Sequence, residues 1–227
     1  MKKTVLLSFL LLIGSLLSAQ QTKVTRSLPT FTSIEASGAL QLYLRIGDTH
    51  EVVVVTDKDF QDKVSLEVSD GQLEASVDGP RWGTTPEVKL YITVVELRDL
   101  ELSGACTFES KNTLKGKYLN IDLTGASEIK IVADVGLLDI ESSGASDIHL
   151  AGTASKLTVD LTGASSLKGA DLTAAKASVE MSGASSASVH VTETLSYDLS
   201  GASSLKLKGS PEIEFKEVSG ASELSRI

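Results

Sequence analysis

Residues 197–207 read YDLSGASSLKL, and three other stretches repeat them with small changes: IDLTGASEIKI from Ile121, IESSGASDIHL from Ile140 and VDLTGASSLKG from Val159. The glycine of this SGA or TGA motif falls at Gly38, Gly104, Gly125, Gly144, Gly163, Gly183, Gly201 and Gly220. From Gly104 onward the intervals are 21, 19, 19, 20, 18 and 19 residues. So regular a period marks a repeat architecture, in which each unit buries its apolar side against its neighbours.

Within a repeat, apolar residues alternate on both sides of the glycine. Leu157, Val159 and Leu161 precede Gly163; Ile129 and Ile131 follow Gly125; Leu205 and Leu207 follow Gly201. A period of two on either side of a tight turn predicts two half-buried strands per repeat. A meander of hairpins satisfies the same alternation but does not require the same residue at matching positions. If each repeat is instead one coil of a solenoid, matching residues stack in parallel register about 4.8 Å apart, and identical corners pack on identical corners. The sequence therefore predicts an all-β parallel β-helix, or β-solenoid, of about 19 residues per coil, with two main strands joined at the SGA/TGA corner. Its winding is expected to be right-handed, as parallel crossovers overwhelmingly are.

The expected structural corners are Gly104 and Ala105, Gly125 and Ala126, Gly144 and Ala145, Gly163 and Ala164, Gly183 and Ala184, Gly201 and Ala202, and Gly220 and Ala221. Glycine supplies the positive φ of a sharp corner, and the alanine is expected to tuck into space too tight for a larger residue.

Residues 1–19 carry two lysines, an apolar run and the small residues Ser18 and Ala19, which are the parts of a secretory signal peptide. Its removal moves the net charge from -9 to -11. Such acidity excludes nucleic acid as a partner and disfavours anionic lipid surfaces. The only cysteine is Cys106, so no internal disulfide is expected and no lipidated cysteine follows the leader. The expectation is an exported protein, periplasmic, surface-located or secreted, that is not a lipoprotein and has no transmembrane segment in its mature chain. Residues 20–103 are expected to form degenerate coils with a cap, and residues 104–227 the regular repeats, in one continuous domain over 20–227. Plausible strands lie in HEVVVVTD, KVSLEVSDGQLEASV (with an Asp70-Gly71 turn) and EVKLYITVVEL, while DGPRWGTTPE with Trp82 reads as an exposed loop. Lys216, where the repeat calls for an apolar residue, predicts a bulge or a terminal cap.

The stretches FTSIEASGALQLYLRIGDTHEVVVV (31–55) and LYITVVELRDLELSGA (90–105), followed by the SGAS and TGAS turns, resemble the putative auto-transporter adhesin head GIN domain family of exported Bacteroidetes-type proteins. The resemblance covers most of the mature chain. It implies a β-helix of pectin-lyase-like appearance, no established catalytic apparatus and a role in adhesion. Only seven residues follow Gly220, so no translocator barrel is expected after the repeats.

Catalytic chemistry is poorly represented. His50, His149 and His190 stand in unrelated contexts, and the serines recur in nearly every repeat, whereas a nucleophile needs one base and one oxyanion site. Cys106 fills a slot that holds serine in later repeats and reads as a buried corner thiol. A polysaccharide lyase or hydrolase would need an irregular carboxylate cluster in a groove, and these carboxylates are regular.

The residue three before each motif glycine is always acidic: Glu35, then Glu101, Asp122, Glu141, Asp160, Glu180, Asp198 and Glu217. In a solenoid these form one solvent-facing column of like charge beside a column of Ser or Thr. Three readings stand: a solvated face that keeps the protein soluble, a strip that binds calcium or another divalent cation between coils, or a docking strip for a cationic or hydroxyl-rich partner. Lys130, Lys168 and Lys206, five places after glycine, are positioned to offset part of the field. No cofactor is otherwise implied. The partner is an unspecified protein or glycan at the cell envelope or surface, bound by a non-enzymatic adhesin; the alternative is a periplasmic structural or signalling module acting on envelope proteins.

Overall fold

The computed structural model describes residues 21–78 and 86–227; the leader and Trp82 lie outside them. The strands are β1 (Gln21–Arg26), β2 (Ser33–Gly38), β3 (Leu40–Ile46), β4 (Glu51–Asp57), β5 (Val64–Ser69), β6 (Gln72–Val77), β7 (Val88–Val94), β8 (Asp99–Gly104) and β9 (Thr107–Ser110). They continue with β10 (Leu114–Gly125), β11 (Glu128–Gly144), β12 (Asp147–Gly163), β13 (Ser166–Met181), β14 (Ser186–Leu199), β15 (Ser204–Lys208), β16 (Glu212–Val218) and β17 (Glu223–Arg226). Apart from β1, β4 and β5 they form a parallel β-solenoid whose coils stack corner on corner, Gly125 on Gly144 and Gly144 on Gly163, with register shifts between β12 and β13 and between β13 and β14. Buried residues stack in columns, for example Leu100, Ile121, Ile140, Val159 and Val179 on one sheet face, opposed by Phe108, Ile129, Ile148 and Leu167 on the other. One apolar cluster runs unbroken from Phe31 to Leu207.

The two strands expected per coil are, in β11 to β14, two arms of one continuous strand. At the bend two or more successive residues turn outward, Gly136–Leu137 in β11 and Ser155–Lys156 in β12, so the buried phase shifts by one while pairing resumes at Leu137 and Lys156. The bend thus costs almost no ladder hydrogen bonds.

At the glycine corner three residues in a row face outward, and the backbone ladder turns through them. The N–H of Ala164 donates to the carbonyl of Gly144 at 2.7 Å, and that of Ala145 to Gly125 at 2.8 Å. Gly163 sits at φ +87°, and a Cβ there would lie 2.5 Å from the Gly144 oxygen. Stacking, as well as the positive φ, therefore excludes a side chain.

The expectation for the alanines is corrected. Ala126 and Ala164 are exposed, because the glycine turns the following side chain away from the axis. The small residue that tucks inside is the next one: Ser127, Ser146, Ser165, Ser185 and Ser203 are all 1–2% exposed. Ser185 and Ser203 donate to the carbonyls of Ser182 and Ser200 at 3.0 and 2.8 Å, which satisfies the hydroxyl inside the corner.

Spatial order departs from chain order at the N-terminal end. β2 lies between β6 and β8, and β3 between β7 and β9, so the first coil of the chain is the second in the stack. Beyond it β4 runs antiparallel to β7, β1 antiparallel to β4, and β5 antiparallel to β6 through a turn with Asp70 at φ 51° and Gly71 at φ 81°. That dipeptide matches a type I′ hairpin. At the other end the register slips between Leu195 and Ser196, leaving Glu214 as the extra residue, and Lys216 takes the inward slot over Tyr197.

Candidate binding face

The acidic residues stack as the repeat requires. Register pairs link Glu35 to Glu101, Glu101 to Asp122, and onward through Glu141, Asp160, Glu180, Asp198 and Glu217. The column also extends the other way, from Glu35 to Glu74 and from Glu74 to Glu67. All are exposed except Asp198, which is half-buried. On one side runs the hydroxyl column Ser37, Ser103, Thr124, Ser143 and Thr162. On the other runs Ser33, Asp99, Asn120, Asp139, Thr158, Ser178 and Ser196.

This outer column was readable as the residues five before each glycine and adds Asp99 and Asp139 to the acidic face. Glu67 and Glu74 carry no such signal, since their coil lacks the motif.

Where the two acidic columns meet, Asp99, Glu101, Asn120, Asp122, Asp139 and Glu141 line a shallow depression of about 280 Å³. Ser33 and Asn120 donate to Asp99 at 2.8 and 2.9 Å. Partial burial, then the charges of Glu35, Asp122 and Asp99, pushes the Glu101 carboxyl above its ordinary range. A second depression, of about 210 Å³, is lined by Asp160, Thr162, Glu180, Ser182, Asp198 and Ser200. The strip is thus a row of shallow hollows in which carboxylates and hydroxyls adjoin the edges of Leu100, Ile121 and Met181.

Neutralisation happens elsewhere. Lys130 pairs with Glu128 at 2.7 Å, Lys111 with Glu109 at 2.7 Å, Lys89 with Glu87 at 2.6 Å and Lys168 with Asp147 at 3.8 Å, all on the face across the glycine corner. Lys130 holds the Glu128 carboxyl below its ordinary range through their hydrogen bond. The expected offset by Lys130 and Lys168 therefore acts on their own face. Among the described residues no ion pair involves the acidic column.

The remaining candidates are dispersed. His50 packs edge-on against Phe31 with ring centroids 5.5 Å apart, His149 lies 3.3 Å from Lys168, and His190 lies 3.2 Å from Thr173. All three are half-buried rather than exposed. Among the described residues no three His, Cys, Asp or Glu side chains converge to hold a metal ion. Cys106 is 1% exposed, its Sγ 3.5 Å from the Ser103 carbonyl, and burial pushes its thiol up. It occupies the corner slot of the serine ladder, which is a packing role.

A repeat solenoid with one regular hydroxyl-and-carboxylate face belongs to the class of proteins that present an extended surface rather than a cleft. The chain belongs to the putative auto-transporter adhesin, head GIN domain family, whose model matches residues 30–211. The same fold occurs in a putative adhesin from Bacteroides fragilis NCTC 9343, at 21% identity and a TM-score of 0.86, over 92% of this chain and 98% of the other. It recurs in a putative lipid binding protein from Parabacteroides distasonis ATCC 8503, at 18% identity, TM-score 0.72 and coverage of 92% and 98%. A putative adhesin from Parabacteroides merdae ATCC 43184 aligns at 18% identity, TM-score 0.70 and coverage of 92% and 97%. No curated protein matches the chain. Among the described residues no helix is long and apolar enough to cross a membrane.

Proposed function

We propose that the protein is an exported, non-enzymatic binding protein of the adhesin type, directed out of the cytoplasm by residues 1–19. Its contact surface is the strip of stacked carboxylates from Glu101 to Glu217 with the adjoining hydroxyl column, and its partner is a cationic or hydroxyl-rich protein or glycan of the envelope. The observation that carries this reading is the asymmetry of neutralisation: one face pairs its charges internally, and on the other the acidic column has no ion pair among the described residues. Adjacent carboxylates at about 5 Å repel by about 1 kcal/mol in water, a cost that a cationic partner relieves on binding. Family membership supports adhesion over catalysis. The filled interior and the anionic face favour a headgroup or sugar over an acyl chain as ligand, should the function ascribed to the Parabacteroides distasonis protein extend to this one.

The test is a screen of glycans and envelope proteins with the wild type and with a variant carrying Glu141→Gln, Asp160→Asn and Glu180→Gln. Partners of this strip lose at least about tenfold in affinity in the variant, while its melting temperature holds or rises; equal capture by both proteins removes the strip from the reading. Protease shaving of intact cells then locates the protein. Resistance to external protease moves the reading to a periplasmic structural or signalling module.

A further inference from the structure

The two ends of the solenoid are finished differently. At the N-terminal end the stack finishes in antiparallel strands, β4 and β1 beyond β7 and β5 beyond β6, with β1 and β5 paired on one side only among the described residues. At the other end β16 pairs with β14 and β17 with β15, and among the described residues neither has a partner on its outer side. Such edges present unpaired N–H and C=O groups to any strand that fits them. Apolar side chains accompany the edge: Val218, which continues the column of Leu199, is 48% exposed, and Phe215 is 53% exposed. Lys216 holds the register position over Tyr197 and is exposed, a charge in a column that is apolar in the coils before it.

We infer that this end docks edge to edge with the same end of a second copy of the chain, about a two-fold axis. The edge is self-complementary in charge. Antiparallel pairing of β16 with its copy, centred on Phe215, sets Phe215 beside Phe215 of the second copy and brings Glu214, the extra residue of the bulge, next to Lys216 of the second copy. The same operation on β17, centred between Leu224 and Ser225, sets Glu223 opposite Arg226 of the second copy. Opposite charges across an antiparallel pair stabilise it and like charges oppose it. Moving the β16 centre by half a residue in either direction brings Glu217 against Glu212 or Glu214, so the charges choose one register.

One axis must serve both strands, and the chain meets that condition. Phe215 lies five residues before Gly220 and the β17 centre four and a half after it, so across the coil the two centres are offset by about 1.7 Å at a strand rise of roughly 3.3 Å. The contact is isologous and closes at the dimer, whereas stacking this end on the antiparallel N-terminal end would give an open fibre.

Sedimentation of the purified protein from about 1 to 200 µM tests the inference. A monomer–dimer equilibrium is expected, with Lys216→Glu raising the dissociation constant at least about tenfold. The charge swap Glu214→Lys with Lys216→Glu restores it to within about threefold, which separates pairing from any folding defect of the single variant. A monomer throughout, a dimer unmoved by Lys216→Glu, a swap that fails to restore it, or open-ended assembly overturns the proposal.

Discussion

Each corner glycine is required for two separable reasons, and substitutions distinguish them. Gly163 combines φ +87° with a carbonyl 2.5 Å from where Cβ would stand, whereas Gly38, at φ +103°, has nothing among the described residues within 4 Å of that point. Backbone strain alone costs on the order of 1–3 kcal/mol, and overpacking against a backbone oxygen adds about as much again. Gly163→Ala is therefore expected to lose roughly 3–5 kcal/mol in urea unfolding, Gly38→Ala about half of that, and exposed Ala164→Val within about 0.5 kcal/mol. Equal losses at Gly163 and Gly38 would show that stacking contributes nothing. Glu101 offers a test of opposite sign. Its carboxyl is raised above the ordinary value in the folded state, so the fold binds the proton more tightly than the unfolded chain does. Stability from this group is present below the ordinary carboxylate range and falls as the pH rises through it to the raised value. Glu101→Gln is expected to raise the melting temperature at pH 7 and to lose that advantage toward pH 4; a variant less stable than wild type at pH 7 contradicts the repulsion.

At the scale of strands, pairing decides local stability. β11 to β13 have partners on both sides over most of their length, while β16 and β17 pair on one side only among the described residues. In hydrogen exchange at low micromolar protein, the amides of β17 and β16 are expected to exchange first and those of β11 and β12 last, because opening the end disrupts the fewest buried contacts. Uniform protection along the array would mean that the coils open only together. These central strands are also where the sequence was most legible, since a period of 18 to 21 residues dictates both the columns and the corner. What the period did not reveal follows from its local nature. The placement of β2 between β6 and β8 depends on long-range pairing in coils that lack the motif, and no residue near Ser33 signals it. The corner was misassigned between two small residues, Ala164 and Ser165, because composition alone does not say which one glycine turns inward. Glu74 joined the acidic column by register rather than by motif.

The whole molecule carries its charge unevenly, and that distribution has a measurable consequence. The formal net charge is -9, yet four ion pairs cluster on the face across the corner and the acidic column has none among the described residues. Like charges stacked at about 5 Å destabilise the compact state by about 1 kcal/mol per neighbour in water, and a Debye length near 8 Å at physiological ionic strength removes part of that cost. Exposed ion pairs on the other face weaken under the same screening, but four such pairs stand against seven neighbour contacts in the column from Glu35 to Glu217. The column therefore wins, and added salt is expected to stabilise the protein. Between about 10 and 300 mM sodium chloride the melting temperature should rise by several degrees, with potassium acting as sodium does. The variant with Glu141→Gln, Asp160→Asn and Glu180→Gln should begin higher at low salt and rise less. Calcium at matched ionic strength separates screening from coordination: a rise no larger than that given by sodium chloride fits a strip of independent, solvated carboxylates, whereas a shift at millimolar calcium that chelation reverses would mean that neighbouring coils share a cation.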